Sequence, residues 1–425
     1  MSNKAEEMTI KQDVKRELKP NLRFPEFLDA PQWTKKPLEE ILLPIVRERT
    51  KPVEAYTGLG LRSHGKGTFL KNLENPDKNS MEYLYEVQCD DLIVNITFAW
   101  EGAIAIAKST DTGALVSHRF PTYEFKRDSA IPDFFRYIIL DKQFVYKLGV
   151  ISPGGAGRNR VLNKNDFLKL RVILPEVSEQ QKVADCLTNL DELIAAHGHK
   201  LDTLKTHKSG LMQQLFPRAG EALPSLRFPE FQGGGLWAEK KLGEIADILM
   251  CKRIFAEETN DRGGVPFYKI GTLGGKPDAF ISEELFHEYR SKYNYPRKGE
   301  ILITCSGTVG KCLPFDGKEA YYQDSNIVWI DNPAPEVSNE FMLQILINVD
   351  WGKLNSTTIT RIYGPDLRNL LIRFPVEKTE QQRVADSLSS LDDLITSQAQ
   401  ELEALKTHKK GLMQQLFPSQ EEVEA

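Results

Sequence analysis

A 39-residue segment occurs twice in this chain, and that repetition limits what the chain can fold into more than any other feature. EQQKVADCLTNLDELIAAHGHKLDTLKTHKSGLMQQLFP fills 179–217, and EQQRVADSLSSLDDLITSQAQELEALKTHKKGLMQQLFP fills 380–418. The copies lie 201 residues apart and agree at 25 of 39 positions. A shorter echo opens each half: LRFPEF at 22–27 returns at 226–231, and Trp33 returns as Trp237. Between these anchors the halves diverge, with a weak match of Asp91–Ile96 to Glu300–Cys305. Uniform drift after a duplication would erode all regions alike. The pattern instead suggests constant segments kept for a shared partner and variable domains that differ in what they read.

The constant segments read as long helices. Val183, Leu187, Leu190, Ile194, His197, Leu201, Leu204, Lys208, Leu211 and Leu215 follow a 4,3,4,3 spacing. Val384, Leu388, Leu391, Ile395, Gln398, Leu402, Leu405, Lys409, Leu412 and Leu416 repeat it. A 3.5-residue period marks helices that supercoil on a partner. Ser178-Glu-Gln-Gln181 and Thr379-Glu-Gln-Gln382 read as capping boxes. Pro217 and Pro418 are expected stops, and Gly210 and Gly411 could kink the last turns. At 1.5 Å per residue each rod is roughly 57 Å long.

A short linker separates the first rod from the second variable domain, so the second rod must start near the far end of the first and run back. The expected fold class is therefore mixed α/β (α+β). Two variable domains sit at opposite ends of an antiparallel two-helix coiled coil with a pseudo-two-fold repeat. The expected seam comprises Val183, Leu187, Leu190, Ile194, Leu201, Leu204 and Leu211 with Val384, Leu388, Leu391, Ile395, Leu402, Leu405 and Leu412. His197 and Gln398 form a polar layer at its middle. Expected boundaries are an N-terminal extension 1–20, a first domain 21–178, a helix 179–217, a second domain 218–379, a helix 380–418 and an acidic tail 419–425. The stretch Asp166–Pro175 and its parallel Asp366–Pro375 alternate apolar residues and suggest half-buried strands.

Composition narrows the function. Apolar residues make up 40% of 425, enough for real cores. No apolar run approaches the roughly 18 residues of a membrane span, and the N-terminus lacks the apolar core of a signal peptide. Five cysteines without a Cys-x-x-Cys pair favour reduced thiols in a cytoplasm. Net charge is −5, yet residues 1–178 carry 27 Lys/Arg against 24 Asp/Glu. Within them, 147–171 holds six cations against Asp166 alone. A small basic footprint suffices for phosphate contact when partners supply more.

No catalytic constellation is legible. Gly307-Thr-Val-Gly-Lys311-Cys312 lacks the spacing and hydroxyl of a phosphate loop. Asn332-Pro-Ala-Pro335 is not the Asn/Asp-Pro-Pro-aromatic motif of amino-methyltransferases, and no metal role is expected of His197 and His199, replaced by Gln398 and Gln400 in the copy. Polar, basic, glycine-bearing stretches do suit DNA. Arg can fork onto guanine O6/N7, and Asn onto adenine N6/N7. The first stretch supplies Arg158, Asn159, Arg160, Lys164 and Asn165; its counterpart supplies Arg361 and Tyr363. Ser117-His118-Arg119 and Asp324-Ser-Asn326 occupy matching places before apolar strands, polar in both copies but chemically different. Arg62, Lys66, Lys252, Arg253, Lys269, Ser306 and Thr308 are further candidates. Phe98 and Trp100 read as core.

These residues carry a resemblance. The duplicated EQQ…LFP segments, the paired LRFPEF openings, GRNRVLNKNDF and Val116–Phe125 make the chain similar to the specificity subunit of type I restriction–modification enzymes, from about residue 20 to 418. The resemblance implies a non-catalytic cytoplasmic subunit with two target recognition domains. Each would read one half of a split, non-palindromic DNA site. The helices would set the spacer and dock two methyltransferase subunits. It implies no cofactor on this chain: S-adenosylmethionine would belong to the methyltransferases, and ATP with Mg²⁺ to two motor–nuclease subunits. A stand-alone tandem DNA-binding regulator is the rival reading.

Overall fold

In the computed structural model, residues 18–154, 160–218, 220–324, 326–333, 335–352 and 361–418 are described. Their contacts divide into two units, 1–197 with 401–425 and 198–400. The division cuts both long helices, Val177–Leu215 and Lys378–Leu416. Each unit thus owns the first half of one helix and the second half of the other.

The apolar pattern explains the unit that begins the chain. Its central sheet has the order Leu42–Ile45, Thr122–Phe125, Leu92–Val94, Ile104–Ile106, with every pairing antiparallel. Successive strand residues point to opposite faces. Leu92, Val94, Ile104 and Ile106 accordingly enter one core, while Ile93 and Ala105 enter another. Both faces are covered, which is why these strands read as unbroken apolar runs. Thr34–Pro37 pairs with Arg171–Leu174 in a separate two-stranded ribbon. A five-stranded sheet, Glu48–Thr50, Tyr83–Glu86, Leu115–Val116, Tyr56–Leu61, Thr68–Leu73, completes the unit.

The other unit repeats this plan and then departs from it. Ala238–Lys241 pairs with Leu371–Phe374, and the sheet Asp247–Leu249, Ile327–Asp331, Ile301–Thr304, Cys312–Pro314 has the same strand order as its counterpart. Again Ile301 and Ile303 enter one core and Leu302 the other. Where the first unit has five strands, the second has three (Phe280–Ile281, Val265–Tyr268, Tyr321–Tyr322) and the helix Glu283–Lys292. The divergence between the halves is concentrated there.

The long helices pack antiparallel within each unit. In the first, Val183, Ala184 and Leu187 share a core with Leu416, and Leu412 and Met413 pack against it. In the second, Val384, Ala385 and Leu388 share one with Met212 and Leu215. None of the expected seam residues is exposed, and Val183, Leu187, Leu201, Val384, Leu388 and Leu402 are buried. The two seam lysines reach the facing helix: Lys208 Nζ lies 2.6 Å from Asp392 Oδ1, and Lys409 pairs with Asp191. Gln398 is buried, and His197 Nδ1 lies 3.5 Å from Glu401 Oε2.

Several expectations need correction. The helices begin at Val177 and Lys378, ahead of the hydroxyls expected to cap them. The Glu176 carbonyl accepts from the Glu179 and Gln180 amides, and Gln181 reaches forward to Asp185 at 2.8 Å rather than back. The helices run through Gly210 and Gly411 to Leu215 and Leu416, two residues short of each proline. Asp166–Pro175 is not one strand: Lys164–Lys169 is helical and only Arg171–Leu174 is extended. Phe98 is 46% exposed and so lies outside the core.

The repeated openings have a structural purpose that the sequence did not disclose. Arg23 donates from Nε to Glu179 Oε1 (2.7 Å) and from Nη2 to Oε2 (2.6 Å), and Trp33 Nε1 donates to Oε1 at 3.3 Å. Arg227, Glu380 and Trp237 repeat the arrangement at 2.6, 2.6 and 3.4 Å. The next residue is a second lock. Gln180 Nε2 donates to the Ser129 and Pro175 carbonyls while its Oε1 accepts from Ile131 N. Gln381 does the same with Glu336, Pro375 and Ser338. Phe417 closes the first unit against Trp33 and Phe134, and Phe216 closes the second against Trp237 and Phe341. Much of the constant segment is therefore held constant by intramolecular contacts.

Burial also sorts the thiols. It pushes the Cys251 and Cys312 thiols up to about 12 and Cys305 up to about 11; Cys89 is raised as well but is exposed, and Cys186 is half-buried. Brief alkylation of the native protein at pH 8 is expected to modify Cys89 and Cys186 first, with Cys251 and Cys305 reacting only after denaturation. Equal native rates in a peptide-mapping experiment would contradict this core.

Candidate nucleic-acid interface

The candidate readers converge on one backbone junction that occurs in both units. In the first, Ile96 N donates to Arg119 O (3.0 Å) and Leu162 N donates to Ile96 O (2.8 Å). In the second, Cys305 N donates to Asn326 O (2.8 Å) and Ile362 N to Cys305 O (2.8 Å). Three loops that are far apart in sequence are thus tied together identically. They are the loop after one central strand, the turn before its neighbour, and the segment leading into a short helix, Lys164–Lys169 or Gly364–Arg368. Arg119 and Asn326 are structural equivalents, as the sequence placement suggested.

In the first unit the turn Ser117–Phe120 is closed by Phe120 N to Ser117 O (2.9 Å), with Arg119 N on Ser117 Oγ (3.3 Å). His118 and Arg119 are exposed. His118, Lys164 and Asn165 line one cavity of about 350 Å³ whose walls include Tyr85, Phe120 and Tyr123. The structure therefore gathers four sequence candidates, His118, Arg119, Lys164 and Asn165, around this junction. Asn163 caps the short helix by accepting from Asn165 N (3.0 Å) and Asp166 N (3.3 Å), which fixes where Lys164 and Asn165 leave the backbone. The aromatic wall of Tyr85, Phe120 and Tyr123 had no signature in the sequence.

Arg160 points elsewhere. Its Nε donates to Ser152 O (3.1 Å), its Nη2 to Gly149 O (2.8 Å), and its guanidinium lies 5.3 Å from the Trp100 ring centroid. It fastens the end of the helix Lys142–Val150. Arg158 and Asn159 lie outside the described residues. Arg62 and Lys66 are exposed on the turn after Tyr56–Leu61, away from the junction's hydrogen bonds. Arg62 donates to Thr68 O (3.1 Å) and covers Phe69.

The second junction has a different character. Ser306 Oγ donates to Asn326 Oδ1 at 2.7 Å, and Arg253 Nε donates to Asp324 Oδ2 at 2.8 Å. Arg361 lies over the Tyr363 ring at 5.7 Å, close enough to Cys305 to oppose the rise that burial imposes on that thiol. Tyr363 is exposed. Where the first unit has Lys164 and Asn165, the short helix here opens with Gly364 and Pro365. Thr308 is exposed, its carbonyl accepting from Thr304. Lys269 pairs with Asp278 (3.2 Å), and Lys252 covers Tyr293. Ser306, Asn326, Arg361, Tyr363 and Arg253 are therefore brought together, whereas Lys252 and Lys269 have partners elsewhere. Among the described residues, no cluster of His, Cys, Asp or Glu could hold a metal, and no helix is long and apolar enough to cross a membrane.

Comparison with known proteins agrees with this duplicated scaffold. The chain is 38% identical over 246 residues to a putative type I restriction enzyme specificity subunit of Haemophilus influenzae, covering 58% of this chain and 62% of that one. It is 24% identical over 275 residues to the MjaVIII specificity subunit of Methanocaldococcus jannaschii, covering 60% and 63%. The matches thus span a little over three fifths of these curated relatives. Its fold resembles that of the S subunit of a type I restriction–modification system from M. genitalium, with TM-score 0.63 and 17% identity over 94% of this chain and 99% of that one. The family model for the type I restriction modification DNA specificity domain matches twice, at 33–206 and 235–407. Each match takes in one junction and most of the helix that follows it, and on that double match the chain belongs to the type I restriction–modification DNA specificity family.

Proposed function

We propose that this chain is the non-catalytic DNA-recognition subunit of a type I restriction–modification complex, each unit reading one half of a split, non-palindromic duplex site. One observation carries the reading: the same three-loop junction occurs twice, with different polar side chains on an unchanged backbone scaffold. That is what two readers of unlike sequences require, because backbone contacts position and side chains specify. The finer partners are two methyltransferase subunits docked on the paired helices and two motor–nuclease subunits. S-adenosylmethionine, ATP and Mg²⁺ are supplied through those partners. Leu193 and Leu394 are equivalent, identical and about half exposed, an apolar surface that the same partner could meet twice.

The test is to purify the chain with its methyltransferase and select bound duplexes from a random pool. A split consensus from the complex supports the proposal, whereas tight sequence-specific binding by the lone chain favours the regulator. The helices supply a sharper test. Insertions of about four or eight residues near Ala195–Leu204, matched in the facing helix, are expected to lengthen the unread spacer and leave both half-sites unchanged. Altered half-sites would refute the ruler.

A further inference from the structure

The two junctions differ in hydrogen-bonding chemistry, and the difference bears on which bases each unit reads. We infer that Arg119 reads a guanine in the half-site of the first unit, while its equivalent Asn326 reads an adenine in the other half-site. The inference rests on the split-site reading above and adds the base class at one position in each half.

Arg119 is set apart by what its neighbours lack. Among the described arginines of the first unit, Arg23, Arg47, Arg49, Arg127 and Arg136 pair with carboxylates, while Arg62 and Arg160 donate to carbonyls and cover aromatic rings. Only Arg119 and Arg171 keep the whole guanidinium for an outside acceptor, and Arg171 lies on the separate ribbon with Thr34–Pro37. The Arg119 backbone is nevertheless fixed, by Ile96 N on its carbonyl and Ser117 Oγ on its amide. An exposed fork on a hydrogen-bonded turn suits base reading, since a reader must be held by elements that do not move. Guanine offers O6 and N7 as paired acceptors, which match two guanidinium N–H groups. His118, Lys164 and Asn165 surround the junction with further donors, and the nearest carboxylate on their short helix, Asp166, pairs with Lys169 at 3.5 Å. This donor-rich patch suits the guanine edge and the flanking phosphates.

At the equivalent position the second unit presents a different group. The side chain on the equivalent backbone position is an amide, whose Oδ1 already accepts from Ser306 Oγ. That bond orients the half-buried amide and leaves its N–H groups and one Oδ1 lone pair to spare, the donor–acceptor pair that matches adenine N7 and N6. Gly364 and Pro365 bring no donors in place of Lys164 and Asn165, and Asp324 occupies the place of Ser117 with Arg253 neutralising it.

The experiment uses the full chain in complex with its methyltransferase and reads the bound motif from randomised duplexes, so that loss of activity does not hide the result. R119A is expected to relax one G·C pair in one half by roughly 10- to 100-fold and leave the other half intact. N326A should relax one A·T pair in the opposite half. K164A should weaken all sequences evenly and reduce the salt dependence by about one phosphate contact, without altering the motif. Arg119 is exposed, so an unchanged melting curve is expected for R119A; N326S keeps a hydroxyl for Ser306 if N326A folds poorly. Relaxation at an A·T pair by R119A, relaxation of both halves, or an unchanged motif would overturn the inference. A wild-type complex that selects no split motif would instead refute the proposed function, before any variant is compared.

Discussion

Glu179→Ala is expected to destabilise the first unit by about 3–5 kcal/mol, because it leaves a buried guanidinium without its anion. The side chains of Arg23 and Glu179 are 6% and 1% exposed. The carboxylate also raises the pKa of Arg23 through the hydrogen bond between them. Its loss therefore removes two charge-assisted bonds and leaves a largely buried guanidinium with only the Ala30 and Pro31 carbonyls as acceptors. Glu380→Ala should cost the second unit a similar amount, since Arg227 and Glu380 are 10% and 1% exposed. Urea unfolding followed by tryptophan emission reads both, because Trp33 and Trp237 touch the respective carboxylates. Replacing Arg23 and Glu179 together with apolar residues should recover much of the loss, since burying an ion pair costs nearly what it returns. A loss below about 1 kcal/mol for the single variant would show that the pair is solvated in solution.

Leu187→Ala and Leu388→Ala are expected to cost about 2–5 kcal/mol each, the price of a large-to-small change at a site that cannot collapse. Both leucines are fully buried, at 0% exposure. The controls are Leu193→Ala and Leu394→Ala six residues further along the same helices, where exposure is 44% and 54%. Those should change stability by no more than about 0.5 kcal/mol. The comparison tests the seam itself, because all four are identical-pair leucines and differ only in the face they occupy. Equal costs at the two positions would mean that the 3.5-residue stripe is not the packed face.

The helices and their direction were legible because periodicity is a local property and the repeat supplies its own control. Val183 to Leu215 and Val384 to Leu416 carry the same spacing, and the linker length leaves little choice of direction. The junction was partly legible: matched polar positions before apolar strands pointed to Arg119 and Asn326. Cations were harder to place. Arg160 and Arg119 both look suited to DNA in the sequence, but one folds back on carbonyls 8 and 11 residues away and the other is exposed. The same holds for Lys269, whose partner Asp278 lies across a turn. Whether a guanidinium is satisfied depends on groups brought near it by folding.

The sequence by itself determined that the chain is a duplication, that each half ends in a long helix with a leucine seam, and that the variable regions carry no catalytic motif. These follow from spacing and residue type, which need no third dimension. Only the tertiary structure decided why LRFPEF, Trp33 and the EQQ motif recur. Glu179 meets Arg23 across 156 residues of chain and Glu380 meets Arg227 across 153. A buried charge forces such a pairing wherever its partner lies, and chain order carries no record of that distance in space.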